Sequence, residues 1–158
     1  MLRTPCRILA IALTLGTPAF AAPPADTDSL TGIPVYPSAA GDDGERFPGG
    51  LCHLTSQSAI YYVPFQWGPN HSAAPKQILL TDVEQWYRDR LKGFRFIPAS
   101  DGQRPQDVFL SPDGTKAVTV TGNPTPSPNA YAISFTHFSG PVQPSQMKSL
   151  ASHQKAQC

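Results

Sequence analysis

The stretch LTDVEQWYRDRLKGF, Leu80 to Phe94, constrains this chain more than any other. Thr81 with Glu84 three residues later is a capping-box pattern, and Asp82 puts negative charge where the N-terminal end of a helix favours it. Val83, Trp86, Tyr87, Leu91 and Phe94 recur at intervals that align them on one side of a helix. Arg88, Arg90 and Lys92 fall in the C-terminal half, where cations suit the dipole, and Gly93 fits the left-handed residue that ends many helices. The spacing predicts a helix from about Asp82 to Lys92 whose apolar face, Trp86 included, is buried against another layer.

The chain that follows supplies strands for that layer. FRFIPA at Phe94 to Ala99, DVFL at Asp107 to Leu110, KAVTV at Lys116 to Val120 and AYAISFTHF at Ala130 to Phe138 are rich in strand formers. Ser111-Pro112-Asp113-Gly114 has turn residues at turn positions and predicts a hairpin between the second and third. Tyr131, Ile133 and Phe135 alternate with Ala132, Ser134 and Thr136, the signature of one buried and one polar face. Upstream, Leu51 to Thr55 and Ala59 to Val63 read as strand, ending at Pro64, which cannot donate to a ladder. The expected fold is α+β, with one main helix packed on an antiparallel sheet in the order strand, helix, three or four strands.

The opening residues, MLRTPCRILAIALTLGTPAFA, set Arg3 and Arg7 before an apolar run from Ile8 to Leu15 and the small-residue pattern Ala19-Phe20-Ala21. That is the order of a secretory signal peptide, and the run falls short of the roughly 20 residues needed to cross a bilayer. The expectation is cleavage after Ala21, a periplasmic or secreted product, and no transmembrane segment once the signal is gone. Loss of Arg3 and Arg7 leaves ten basic against eleven acidic residues, a net charge of about −1, so no whole-chain charge argues for nucleic acid or for an anionic membrane surface as partner. The remaining length of about 137 residues suits one domain. The chain divides into the signal (1–21), a Pro/Gly-rich N-terminal segment (22–50) where only Ile33 to Tyr36 reads as packed, the α+β domain (51–140), and a C-terminal tail (141–158) able to form a short helix from about Gln146.

PVYPSA at Pro34 to Ala39, DVEQWYRDRLKGF at Asp82 to Phe94 and VFLSPDGTKAVTVTG at Val108 to Gly122 together resemble small exported bacterial proteins of uncharacterised function. Those carry a P-x-YPGA opening, a helix of V..FY...L...G type and a hairpin ending in VTV. The resemblance spans about Ile33 to Phe138, with Ser38 standing where the pattern has Gly, and it implies fold and export without any catalytic residue.

Candidate chemistry is sparse. There is no G-x-S-x-G elbow, and His53, His71, His137 and His153 show no zinc-type spacing. Asp42-Asp43-Gly44-Glu45 lacks the alternating oxygen ligands of a calcium loop, so no metal and no cofactor is expected. A Cys52–His137 nucleophile pair is weighed against a wet strand-end histidine beside an oxidised cysteine, and the second reading is preferred. Arg88, Arg90, Lys92 and Arg95 could meet an anionic polymer or a lipid headgroup, yet as helix-end charges they already have a structural reason. Tyr61, Tyr62, Phe65 and Trp67 next to Asn70 and His71 offer rings beside polar groups, the materials of a small concave site; Trp67, Asn70 and His71 are its expected binding rim. The leading expectation is a non-enzymatic domain that binds an envelope protein or a small ligand, and the alternative is a small extracytoplasmic hydrolase acting on cell-envelope substrates. Cys6 leaves with the signal, so Cys52 and Cys158 are expected to pair, fastening the tail to the strand around Leu51.

Overall fold

A computed structural model describes residues 26–41, 46–64, 66–67, 76–102, 104–122 and 130–153, with backbone alone for 66–67 and 76. The strands are β1 (Ala40–Gly41), β2 (Phe47–Leu51), β3 (Leu54–Pro64), β4 (Gln66–Trp67) and β5 (Lys76–Gln77), followed by helix α1 (Leu80–Arg90). Then come β6 (Arg95–Ile97), β7 (Gln106–Leu110), β8 (Lys116–Thr121), β9 (Ala130–Phe138) and helix α2 (Pro144–Ala151). Seven strands form one antiparallel sheet in the order β1-β3-β9-β8-β7-β6, with β2 also on β3, and β4 pairs with β5 alone.

The fold is therefore mixed α+β but dominated by its sheet, not built as one main helix on three or four strands. Two features account for the difference. β3 runs unbroken through the polar Ser56-Gln57-Ser58, because these residues find partners in β9: Ser58 lies opposite Thr136, and their hydroxyls are 2.9 Å apart. Phe47–Leu51 contains the Pro-Gly-Gly that reads as loop, yet it is an edge strand whose glycines come close to β3, where a Cβ on Gly49 would lie 2.9 Å from Ser56 Oγ. Pro48 is tolerated because an edge strand leaves one side unpaired.

Strand alternation divides the core in two. Phe109, Val118, Val120, Ile133, Phe135, Ala59, Tyr61 and Val63 pack with Val83, Tyr87 and Leu91 of the α1 segment. Val108, Leu110, Ala117, Ile97, Leu51 and Phe138 point the other way and pack with Val142, Met147 and Ala151 in and before α2. Since Val108 and Leu110 alternate with Phe109 along β7, the two helices lie on opposite faces of the sheet.

On α1 the buried residues are Val83 and Tyr87, and the helix begins at Leu80, with Asp82 Oδ2 accepting the Leu79 N–H at 3.0 Å. Trp86 is only half-buried, a correction to the expected burial. It lies about 100° around the helix from Tyr87 and stacks edge-on against Tyr36, ring centres 5.4 Å apart. The tail helix forms, capped at Gln143 and so starting slightly before Gln146; Met147 and Ala151 are buried, whereas Leu150 is 41% exposed. The N-terminal segment is pinned by Asp28, fully buried, whose carboxylate accepts the Thr31 N–H at 2.8 Å, the Thr31 hydroxyl at 2.7 Å and the Tyr61 hydroxyl at 3.3 Å. No helix among the described residues is long and apolar enough to cross a membrane.

Candidate functional site

The β7–β8 turn builds one wall of a cleft. Ser111 N–H donates to Lys116 O and Gly114 N–H to Ser111 O, both at 2.9 Å, and Gly114 takes the left-handed φ of 72° that a side chain resists. Asp113 completes the loop, its carboxylate accepting the Ser111 hydroxyl at 2.5 Å and the Thr115 N–H at 3.0 Å. These donors hold the exposed carboxyl at about 2, below its ordinary range, the Ser111 hydroxyl acting most strongly.

The opposite wall is the strap Pro141–Pro144 that leads into α2. Val142 N–H donates to Gly114 O at 2.9 Å, so strap and turn are fastened together. A Cβ on Gly114 would lie 2.8 Å from Val142 O, which leaves no room for any other residue at this crossing. Gly93 and Arg95, at the α1–β6 junction, close the third side. The enclosed cleft measures about 370 Å³, within the range of small-ligand sites. Leu110, Val142 and prolines 112, 141 and 144 contribute apolar lining, and Arg95 and Asp113 bring opposite charges. A second, more open hollow of about 540 Å³ lies beside β1, lined by Asp26, Val35 and Tyr61 among others.

A third feature is chemical. Glu84 on α1 and Asp107 on β7 are electrostatic neighbours. Burial first, and then the neighbouring Asp107 carboxyl, push Glu84 up to about 7, and the Arg88 guanidinium only partly opposes them.

Of the expected rim, Asn70 and His71 lie outside the described residues, and of Trp67 only the backbone in β4 is described. Cys158 lies outside them as well. Cys52 and His53 form the two-residue turn between β2 and β3, so they do not alternate along a strand. His137 pairs with Gln57, three positions along β3 from Leu54, where the turn holding Cys52 ends, so at least about 10 Å of strand lies between them. The structure does not bring Cys52 and His137 together. Among the described residues no three His, Cys, Asp or Glu side chains cluster as a metal site.

Sequence reading missed the cleft and the carboxyl pair. The SPDG turn was visible, but the strap closes on it through backbone groups of Gly114 and Val142, which leave no side-chain signature. Glu84 reads as a capping residue, a role that Asp82 takes instead. No family model matches this chain, and no curated protein or solved structure matches it either.

Proposed function

We propose that this is an exported binding domain, cleaved after Ala21, that takes a small zwitterionic ligand such as an amino acid or a short peptide in the cleft between the β7–β8 turn and the strap before α2. One observation carries the reading: the cleft is held in shape by the Gly114–Ser111 and Val142–Gly114 backbone bonds, and both Arg95 and Asp113 line it. A cation and an anion in one cleft complement a ligand with charge at both ends. The test is a titration of the mature protein with a panel of amino acids and dipeptides, followed by amide chemical shifts. Shifts confined to Arg95, Ser111–Gly114 and Val142, and weakened by Arg95→Ala, are expected. Shifts that map to another surface, or indifference to Arg95→Ala, would overturn the assignment.

The export reading includes a Cys52–Cys158 disulfide. Supporting it, Cys52 holds a left-handed φ of 59°, unusual for a residue with a side chain, and Gln146 Nε2 of α2 lies 3.6 Å from its sulfur. A Cys52–Cys158 bridge would close a loop of about 100 residues and stabilise the fold by up to about 4.7 kcal/mol in the chain-entropy model. Intact mass after alkylation, with and without reductant, checks it: two thiols alkylated without reductant, or a reducible dimer, speaks against the bridge.

A second reading, a small extracytoplasmic hydrolase acting on envelope substrates, is favoured by Glu84, whose raised pKa suits a group exchanging protons near neutral pH. Loss of any hydrolytic activity in Glu84→Gln with cleft binding intact would support it.

A further inference from the structure

β6 ends the order of the seven-stranded sheet, so its outer edge has no strand partner among the described residues. The hydrogen bonds around it fix which backbone groups face outward. Gln106 N–H donates to Ala99 O at 2.9 Å, and in the same register the next bonded pairs are Ile97 with Val108 and Arg95 with Leu110. The other side of β7 agrees. Ser111 N–H donates to Lys116 O at 2.9 Å, so Phe109, two positions away, turns its backbone groups to Val118 of β8, and Val108 and Leu110 turn theirs to β6. Phe96 stands between the bonded pairs of β6, and its N–H and C=O therefore point to the open edge.

This edge is short and held in place. The Phe96 ring packs on Phe109, centres 5.3 Å apart, and carries the Arg88 guanidinium on its face. Two residues on, Pro98 has no N–H to offer; two residues back, the Phe94 N–H is already given to Leu91 O at 3.0 Å. Between Phe94 and Phe96 lies exposed Arg95, which lines the cleft together with Gly93. Cleft and edge thus meet at the α1–β6 junction.

Charge selects the occupant and its direction. An extended peptide running antiparallel to β6 exchanges two bonds with Phe96 and brings its C-terminus to Gly93 and Arg95; a parallel one brings its ammonium onto the Arg95 cation. With the Phe94 N–H taken, a terminal carboxylate arriving there meets the guanidinium instead. A second copy of this chain fits less well. Two-fold pairing about Phe96 sets Arg95 opposite Ile97 of the other copy, which makes the two Arg95 residues diagonal neighbours about 7–8 Å apart on one face.

We infer that the cleft and the β6 edge together take the C-terminal end of an extended peptide, whose third residue from the end pairs with Phe96 and whose carboxylate meets Arg95. This rests on the cleft reading and narrows it from amino acids and short peptides to peptides.

The experiment titrates the isotope-labelled mature chain with tetraalanine, its C-terminal amide and alanine, read by amide chemical shifts. Expected are a shift of the Phe96 amide with tetraalanine and none with alanine, and binding of tetraalanine about tenfold tighter, as two added backbone bonds allow. Amidation should weaken binding about tenfold, and Arg95→Ala should erase the difference between acid and amide. N-methylation of the second peptide residue, whose N–H meets Phe96 C=O, should cost about tenfold, against less than about threefold at the third, whose N–H faces solvent. An unmoved Phe96 amide, equal binding of alanine and tetraalanine, or equal cost for the two methylations would overturn the inference while leaving the cleft as an amino-acid site. A Phe96 shift that follows protein concentration in place of peptide would assign the edge to a second copy and overturn it as well. If no compound moves Arg95 or Ser111–Gly114, the cleft reading itself fails and this inference with it.

Discussion

Tyr87 gives the sharpest test of the packing. Its ring is fully buried between α1 and the sheet, with centres 4.9 Å from Trp86, 5.8 Å from Phe109 and 6.4 Å from Phe135. Its hydroxyl is also buried, facing the Tyr36 backbone without meeting hydrogen-bonding geometry, and has no partner among the described residues. Burial accordingly drives the phenol far above its ordinary pKa. A buried hydroxyl left unpaired costs about 1–3 kcal/mol, whereas the ring supplies the packing. Tyr87→Phe removes the penalty, keeps the ring contacts and leaves a gap of one oxygen. The expected net effect is stabilisation by about 1 kcal/mol, or about 3 °C in Tm for a domain of this size. Tyr87→Ala should cost about 3–5 kcal/mol, as large aromatic truncations in cores do. Urea denaturation of the two variants beside the parent, with equal m-values, is the measurement. A loss of 1 kcal/mol or more in Tyr87→Phe would refute the reasoning, because it would mean that the hydroxyl is satisfied.

Three further outcomes are expected. The folded-state pKa of Glu84, about 7, lies above its ordinary 4.5, so the folded protein holds a proton that the unfolded chain releases; stability from this group is present below about pH 4.5 and is lost as pH rises to about 7. Because Glu84 is half-exposed, solvent screening limits the effect to about 1 kcal/mol, and Glu84→Gln should flatten the pH dependence of the urea midpoint across that window. Asp28→Ala strands the Thr31 and Tyr61 donors in the core and should cost about 2–4 kcal/mol by denaturation, against about 1 kcal/mol for Tyr61→Phe. Gly114→Ala meets both a left-handed φ of 72° and the Val142 carbonyl at 2.8 Å; a loss of about 2 kcal/mol or more is expected, with amide shifts spreading along the strap, and a silent substitution would show that turn and strap are not clamped.

Local patterns in the sequence carried the elements whose stability is local. Helix α1, the turn at Ser111–Gly114 and the full span of β9 are legible because periodicity, capping charge and turn residues act within a few positions. β2 was not, since Phe47-Pro48-Gly49-Gly50 is a strand only because β3 lies beside it. The choice of Tyr87 over Trp86 for the buried position turns on about 100° of helix rotation, finer than a list of apolar residues on one side of a helix can resolve. The cleft depends on the meeting of residues near 112 with residues near 142, and the raised pKa of Glu84 on the meeting of a helix with a strand. Neither has a sequence period to reveal it.

The strand order has a consequence for how the chain reaches this state. β3 and β9 are neighbours in the sheet, with Ala59 opposite Phe135, although α1 and the five strands β4 to β8 separate them along the chain. Non-local pairing of this kind must close a long loop before any contact rewards it, so folding on the millisecond-to-second scale is expected rather than the microseconds of helical bundles. During synthesis β3 waits with one edge unpaired until residues near 130 emerge. The serines at Ser56 and Ser58, which find partners in β9 only at the end, keep that waiting edge polar over part of its length and so make it a poorer template for wrong pairing.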